Sequence, residues 1–238
     1  MVNLPSNPST TANDLLTIRR IRKAIGWLGI ILPLSLVLLS LIPFFNTNVQ
    51  NSISYYYYTN LRELFIGVLC PVSLFLICYK RFKNPIPWKN ENLMTNIAGI
   101  MALGVALVPT NPLNCSEKIY TLIPLCQKTI GWLHYFFAAS FFVSLAIISI
   151  KIFTIGQKEN KDIRVSRLNE NNIYRICGYA IILFIIMVPV CAKLNLFHSS
   201  TLVFEALALG AFGISWLIKG RVMGDKGKIG RTLYREQN

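Results

Sequence analysis

The chain has 238 residues, of which 53% are hydrophobic and only 14% are charged. Because soluble domains average about 25% charged residues, this composition excludes an ordinary soluble protein and indicates a membrane protein. The net charge of +14 would suit nucleic-acid binding on a soluble surface, but most Lys and Arg residues lie in four short segments between apolar blocks. We therefore expect no nucleic-acid partner.

Six apolar blocks predict six transmembrane helices, since each approaches the roughly 20 residues that cross a bilayer. In chain order, the predicted spans are 24–45, 61–79, 93–110, 129–155, 173–193 and 200–218. The connections alternate between rich and poor in Lys and Arg, which places the rich side in the cytoplasm. The sequence therefore predicts an all-α, polytopic six-helix bundle with both termini in the cytoplasm.

This topology divides the chain into three parts. A basic cytoplasmic tail covers 1–23, the transmembrane domain covers 24–219, and a second basic tail covers 220–238. The first apolar block lacks a small-residue cleavage site behind it, so we expect a retained helix and not a cleaved signal peptide. The expected partners are membrane lipids, with anionic inner-leaflet headgroups at the basic loops.

The cysteines fall into two groups. Cys115 and Cys126 share the longest outer connection, where oxidation is possible, so we predict a disulfide there, with two free thiols as the alternative. The other cysteines lie in or at the edge of spans and are expected to pack as small apolar residues: Cys70, Cys78, Cys177 and Cys191.

Three ionisable residues lie within the predicted spans at one depth. Glu63 begins the second span, and His134 and Glu205 each lie about one turn into their spans from the outer side. Placing an ionisable group in the hydrocarbon core costs free energy unless a polar or charged partner contacts it. We therefore predict a polar pocket in the outer part of the bilayer, whose further members at a similar level are Arg62, Thr110 and Tyr58.

Several interpretations of this layer stay open. It can form a pocket for a lipid or small molecule, which the shared depth favours. A proton-coupled carrier or a channel would use Glu205 as a relay, whereas a lipid hydrolase would bind a divalent metal through Glu63, His134 and Glu205. The structural alternatives are an ion pair between Glu63 and Arg62 and a hydrogen-bonded interface role for His134.

Sequence motifs exclude only a few of these functional interpretations. With two histidines in the chain, a histidine-rich metal site is excluded. The sequence contains no nucleophile elbow, metalloprotease helix motif, phosphate loop or dinucleotide fingerprint, so we expect no cofactor. Whether the protein is an enzyme stays open at this stage.

Four stretches carry a family resemblance: Ser52 to Glu63, Asn96 to Gly99, His134 to Ala139, and Phe204 to Ala206. On these motifs the chain resembles bacterial six-helix integral membrane proteins of unknown function, of the domain-of-unknown-function 998 type. More loosely, it is similar to a eukaryotic six-helix family of lipid-remodelling and autophagy-modulator proteins. The resemblance implies a six-helix bundle in the bacterial inner membrane with a possible link to lipids, and it supplies no reaction.

Overall fold

A computed structural model describes residues 8–79, 84–111, 123, 128–155, 169–194 and 199–224. Within these ranges the regular structure is entirely helical, and no strand occurs. The long helices are α1 (Pro8–Ser40), α2 (Arg62–Cys78), α3 (Glu91–Leu107), α4 (Lys128–Ile147), α5 (Glu170–Leu194) and α6 (Ser200–Lys219). A π-helical turn, Ile148–Ile152, extends α4, and short 3-10 helices cover Pro43–Phe45, Ile53–Tyr58 and Pro87–Lys89.

Local chemistry explains where several helices begin. The side chain of Asn90 accepts the N–H of Leu93 at 3.2 Å, which satisfies one of the free donors at the start of α3. Asn169 does the same for the N–H of Asn172 at 2.9 Å at the start of α5. Polar residues that look like loop sequence thus fix helix starts at the edges of apolar blocks.

The helices alternate in direction between two ends of the bundle. One end, called the Arg22 end, gathers a residue from or just beyond each helix: Arg22, Tyr79, Glu91, Phe153, Tyr174 and Lys219. At the opposite end, called the Ser52 end, Ser40 of α1 lies 3.3 Å from the hydroxyl of Tyr56. The N–H of Leu202, near the start of α6, donates to Asn51 at 2.9 Å.

Each helix packs against the next one in the sequence, and α6 also packs against α1, which closes a ring. The α1–α6 contact is close because glycines line it: a Cβ on Gly26 would lie 2.8 Å from the carbonyl oxygen of Gly213. The apolar window of α5 is only 22% buried, against 56% for α6. By this measure α5 is the least buried of the four long apolar helices.

Four of these helices are long and apolar enough to cross a membrane: Asn13–Ser40, Thr129–Ile152, Glu170–Leu194 and Ser200–Lys219. Glu91–Leu107 is a shorter apolar helix. The coarse prediction of an all-α membrane protein therefore agrees with the structure.

Helix α1 begins earlier than the predicted first span. Helix α1 already includes residues 8–23, which the sequence assigned to a tail, and Arg22 is only 4% exposed. A buried arginine can be accommodated there because its guanidinium contacts the carboxylate of Glu91 at 3.1 Å and the hydroxyl of Tyr79 at 2.7 Å. Helical structure thus extends toward the N-terminus beyond the basic residues that marked the predicted start of the span.

The predicted disulfide between Cys115 and Cys126 lies outside the described residues. The cysteines of the described ranges are free thiols: Cys70, Cys78, Cys177 and Cys191. Cys177 and Cys191 are buried, Cys70 is half-buried and Cys78 is exposed.

Candidate functional site

Residues Asn51–Tyr58, called the bridging segment, cross the Ser52 end of the bundle. Ser52 is extended and caps the 3-10 helix that follows, because its hydroxyl oxygen accepts the N–H of Ser54 at 3.1 Å. Tyr56 and Tyr57 are buried and fix the helix on the bundle. This anchoring holds residues 52–54 against α4 and α6.

Glu205 of α6 binds the bridging segment. The hydroxyl of Ser52 is shared between the two carboxylate oxygens, at 3.1 and 2.9 Å, and the backbone N–H of Ile53 donates at 2.7 Å. Within the described ranges, no Lys or Arg pairs with this carboxylate. Glu205 is therefore held entirely by neutral donors.

His134 of α4 binds the same segment from the other side. Its side chain is 2% exposed, with Nδ1 at 2.6 Å from the carbonyl oxygen of Val108 and Nε2 at 2.9 Å from the hydroxyl of Ser54. A carbonyl oxygen only accepts, so Nδ1 carries the proton. In the neutral imidazole, Nε2 is then the acceptor, and the hydroxyl of Ser54 donates to it.

A small cavity of about 40 Å³ lies beneath the bridging segment. Its polar lining comes from Ser54 and Glu205, and the rest is hydrocarbon: Leu32, Ile53, Phe65, Leu69, Val105, Ala138, Phe141, Phe142 and Leu209. A water molecule needs about 10–15 Å³ of such space, whereas drug-sized ligands occupy pockets of about 300–1,000 Å³. The cavity can therefore take a few waters or the end of an apolar chain, but not a whole lipid.

Three further predicted site residues do not line the cavity: Tyr58, which ends the bridging segment, and Thr110 and Arg62, which lie beside it. The hydroxyl of Tyr58 donates to the backbone carbonyl of Thr110, a residue that is 5% exposed. Burial raises the pKa of Tyr58, as it does for Tyr57, which keeps both hydroxyls neutral. The guanidinium of Arg62 lies over the ring of Tyr57, 5.4 Å from its centre.

Glu63 does not join the other predicted site residues. It is exposed on α2 and does not line the cavity. No three His, Cys, Asp or Glu side chains come close enough to hold a metal ion in the described part of the chain. The trio of Glu63, His134 and Glu205, considered above as metal ligands, is thus not assembled, because one member lies on the outer surface of its helix.

Sequence reasoning missed the groups that join His134 to Glu205. Ser52 and Ser54 look like ordinary loop serines, and the N–H of Ile53 and the carbonyl of Val108 belong to the backbone. Two serines placed before a run of four tyrosines are the only available signal. Depth alone indicated Glu205 and His134, because a costly ionisable group is conspicuous while a neutral hydroxyl is not.

No family model, curated protein or solved structure matches this chain. The resemblance to the 998-type membrane proteins therefore stays a prediction.

Proposed function

We propose that the chain is an integral protein of the bacterial inner membrane, with six spans and both termini in the cytoplasm. The basic residues of the described ranges support this orientation, because most of them lie toward the Arg22 end: Arg19, Arg20, Arg22, Lys23, Lys89, Lys151, Arg175, Lys219 and Arg221. The Ser52 end then faces outward, and the bridging segment lies near the outer headgroups.

At that outer end, the protein binds a lipid or small amphiphile through the cavity beneath the bridging segment. The observation that carries this proposal is the meeting of Glu205 and His134, from different helices, on residues 52–54. Ser54 and Glu205 offer polar contacts at the rim, and the remaining lining is hydrocarbon. A ligand with a polar group and a short apolar part matches both surfaces.

Retention of the ligand during purification tests the proposal. The full chain is purified in detergent, and organic extracts are analysed by mass spectrometry for amphiphiles in stoichiometric amount. Glu205→Gln combined with His134→Ala is expected to lose the retained species, because both polar anchors of the bridging segment are removed. Glu63→Gln is the matched control, since Glu63 is exposed and lies outside the cavity lining.

The expected pattern is retention in the wild type and in Glu63→Gln, with loss in the double variant. Equal amounts of the same species in all three preparations would argue against the pocket. Elution of every variant at the wild-type position in size-exclusion chromatography shows that a loss does not reflect unfolding.

A further inference from the structure

Ser54 and His134 have the geometry of a nucleophile and its general base. The hydroxyl oxygen of Ser54 lies 2.9 Å from Nε2 of His134, within the reach needed for direct proton transfer. The other ring nitrogen donates to the carbonyl of Val108 at 2.6 Å. That carbonyl fixes the tautomer and the ring orientation, which is the role of the third group in such arrangements.

Ser54 differs from most of the serines buried among the helices, although Ser52 likewise donates to a proton acceptor, the carboxylate of Glu205. Ser40, Ser73 and Ser144 donate to backbone carbonyls, which are not bases that can take up a proton. Ser149 pairs with another serine, Ser215, at 2.8 Å. Ser54 combines an imidazole acceptor with a position on the cavity wall.

We infer that Ser54 is the nucleophile, and His134 the general base, of an acyl-transfer reaction on carboxylic esters. This inference rests on the proposed ligand pocket and names the class of its substrate. The cavity wall is almost entirely hydrocarbon, so it suits the end of an acyl chain, while the ester carbonyl lies at Ser54. The outer headgroup level, where this segment is placed, is also where lipid esters are found.

The reaction balances with water as the only co-reactant. The Ser54 oxygen bonds to the ester carbonyl carbon as its proton passes to Nε2 of His134. The bond from that carbon to the alcohol oxygen then breaks, and the alcohol leaves with the proton from Nε2. Water next gives a proton to Nε2 and attacks the acyl-serine, and the serine oxygen leaves with that proton, which releases a carboxylic acid.

The negative charge on the attacked oxygen needs nearby donors. Two backbone N–H groups beside the nucleophile are already engaged, since Ile53 donates to Glu205 and Ser54 donates to Ser52. Binding of the ester must therefore displace Glu205 from the N–H of Ile53, which frees one donor for the oxyanion. In this arrangement Glu205 is a positioning residue and not a catalytic one.

A fluorophosphonate probe tests the nucleophile directly. The probe forms a bond between its phosphorus and an activated serine oxygen, with fluoride leaving and the proton passing to the base. The purified full chain is expected to carry one label, located on Ser54 by peptide mass spectrometry. A wild-type protein without label, or labelled only at another residue, would overturn the inference, and this result needs no variant to fold.

Variants then test the role of His134. Labelling is expected to vanish in Ser54→Ala and to slow by about a hundredfold or more in His134→Gln, because the base is removed. Ser144→Ala is the matched control and should label at the wild-type rate, since Ser144 bonds a carbonyl of its own helix. An unchanged rate in folded His134→Gln would contradict the assignment of the base.

Two substrate arms identify the source of the ester. A soluble short-chain p-nitrophenyl ester tests small molecules, and phosphatidylglycerol vesicles test lipids by release of fatty acid. Retention of an amphiphile without any label at Ser54 would contradict the acyl-transfer inference but not the proposed pocket. Absence of both the retained amphiphile and the label would sink the proposed pocket as well.

Discussion

Each end of the bundle holds an acidic side chain among polar partners, with Glu91 buried and Glu205 half-buried, but the partners differ. At the Arg22 end, Glu91 accepts from Arg22 at 3.1 Å and from the hydroxyl of Tyr79 at 2.9 Å, so opposite charges meet. At the Ser52 end, the donors to Glu205 within the described ranges are a hydroxyl and an amide, beside a cavity. A buried charge with an opposite partner is typical of structural support, whereas one held by exchangeable neutral donors next to a cavity indicates a binding site.

A second cation at the Arg22 end, Lys219, contacts neutral groups. The ammonium of Lys219 donates to the carbonyl of Phe153 at 2.8 Å and lies 5.3 Å from the ring centres of Phe153 and Tyr174. Between the two ends, buried apolar side chains such as Leu69 and Phe212 fill the interior. This separation favours two independent polar regions over one continuous proton relay.

The largest expected effect is at the Arg22 end. Glu91→Ala leaves the buried guanidinium of Arg22 without its carboxylate, which should destabilise the protein by about 3–5 kcal/mol. The matched control replaces both partners, Arg22→Met with Glu91→Leu, and is expected to recover most of that loss because no charge is left buried. Thermal unfolding in detergent measures both variants, and an unchanged midpoint for Glu91→Ala would contradict a structural role for the pair.

A second prediction concerns the α1–α6 contact that lies between the two ends. In Gly213→Val, the new Cβ would lie 2.6 Å from the carbonyl oxygen of Gly26. We therefore expect the free energy of unfolding to fall by about 1–3 kcal/mol. Gly210→Val is the control on the same helix, because a Cβ at Gly210 meets nothing within 4 Å. Similar unfolding midpoints for both variants would show that this close approach does not hold the ring together.

A third prediction addresses the Ser52 end. Ser52→Ala removes the hydroxyl shared by the Glu205 oxygens and the acceptor for the N–H of Ser54, which should cost about 1.5 kcal/mol. It should also slow probe labelling at Ser54, since the bridging segment loses its cap. Ser199→Ala, which removes an exposed hydrogen bond to Asn51, is the control. A wild-type labelling rate in Ser52→Ala would show that the cap does not affect the reactivity of Ser54.

The smallest effect is expected at Tyr58. Tyr58→Phe removes one hydrogen bond to the carbonyl of Thr110 and should cost about 0.5–1.5 kcal/mol. Because burial raises the pKa of Tyr58 in the folded protein, its contribution is present below the unfolded pKa of about 10 and is lost as pH rises through the folded pKa. The difference in stability between wild type and Tyr58→Phe should therefore shrink in strongly alkaline solution, and a constant difference would contradict this.

Much of the fold was accessible from the sequence because the bilayer imposes a simple length and composition rule. Apolar blocks located the helices to within a few residues at most ends. Helix α1 starts well before the predicted first span. Its basic residues signalled a tail, while the partners that make Arg22 tolerable lie on α2 and α3, far along the chain.

Only part of the site could be predicted from the sequence. The cost of burying charge pointed to Glu205 and His134, which the structure brings to one segment. Depth in the membrane does not specify which side of a helix a residue occupies, so Glu63 was grouped with them although it is exposed. The reactive geometry of Ser54 depends on the path of a loop, and no periodic pattern in the sequence encodes that path.

The position of the proton on His134 tests most directly whether this ring can accept the proton of Ser54. Nitrogen-15 NMR of histidine-labelled protein distinguishes the two neutral tautomers, and a His134→Gln variant identifies which of the two histidines in the chain gives each signal. The geometry predicts a proton on Nδ1, bonded to Val108, and an unprotonated Nε2 that accepts from Ser54. A proton on Nε2 in the neutral ring would contradict it, because the imidazole would then have no site to receive the serine proton.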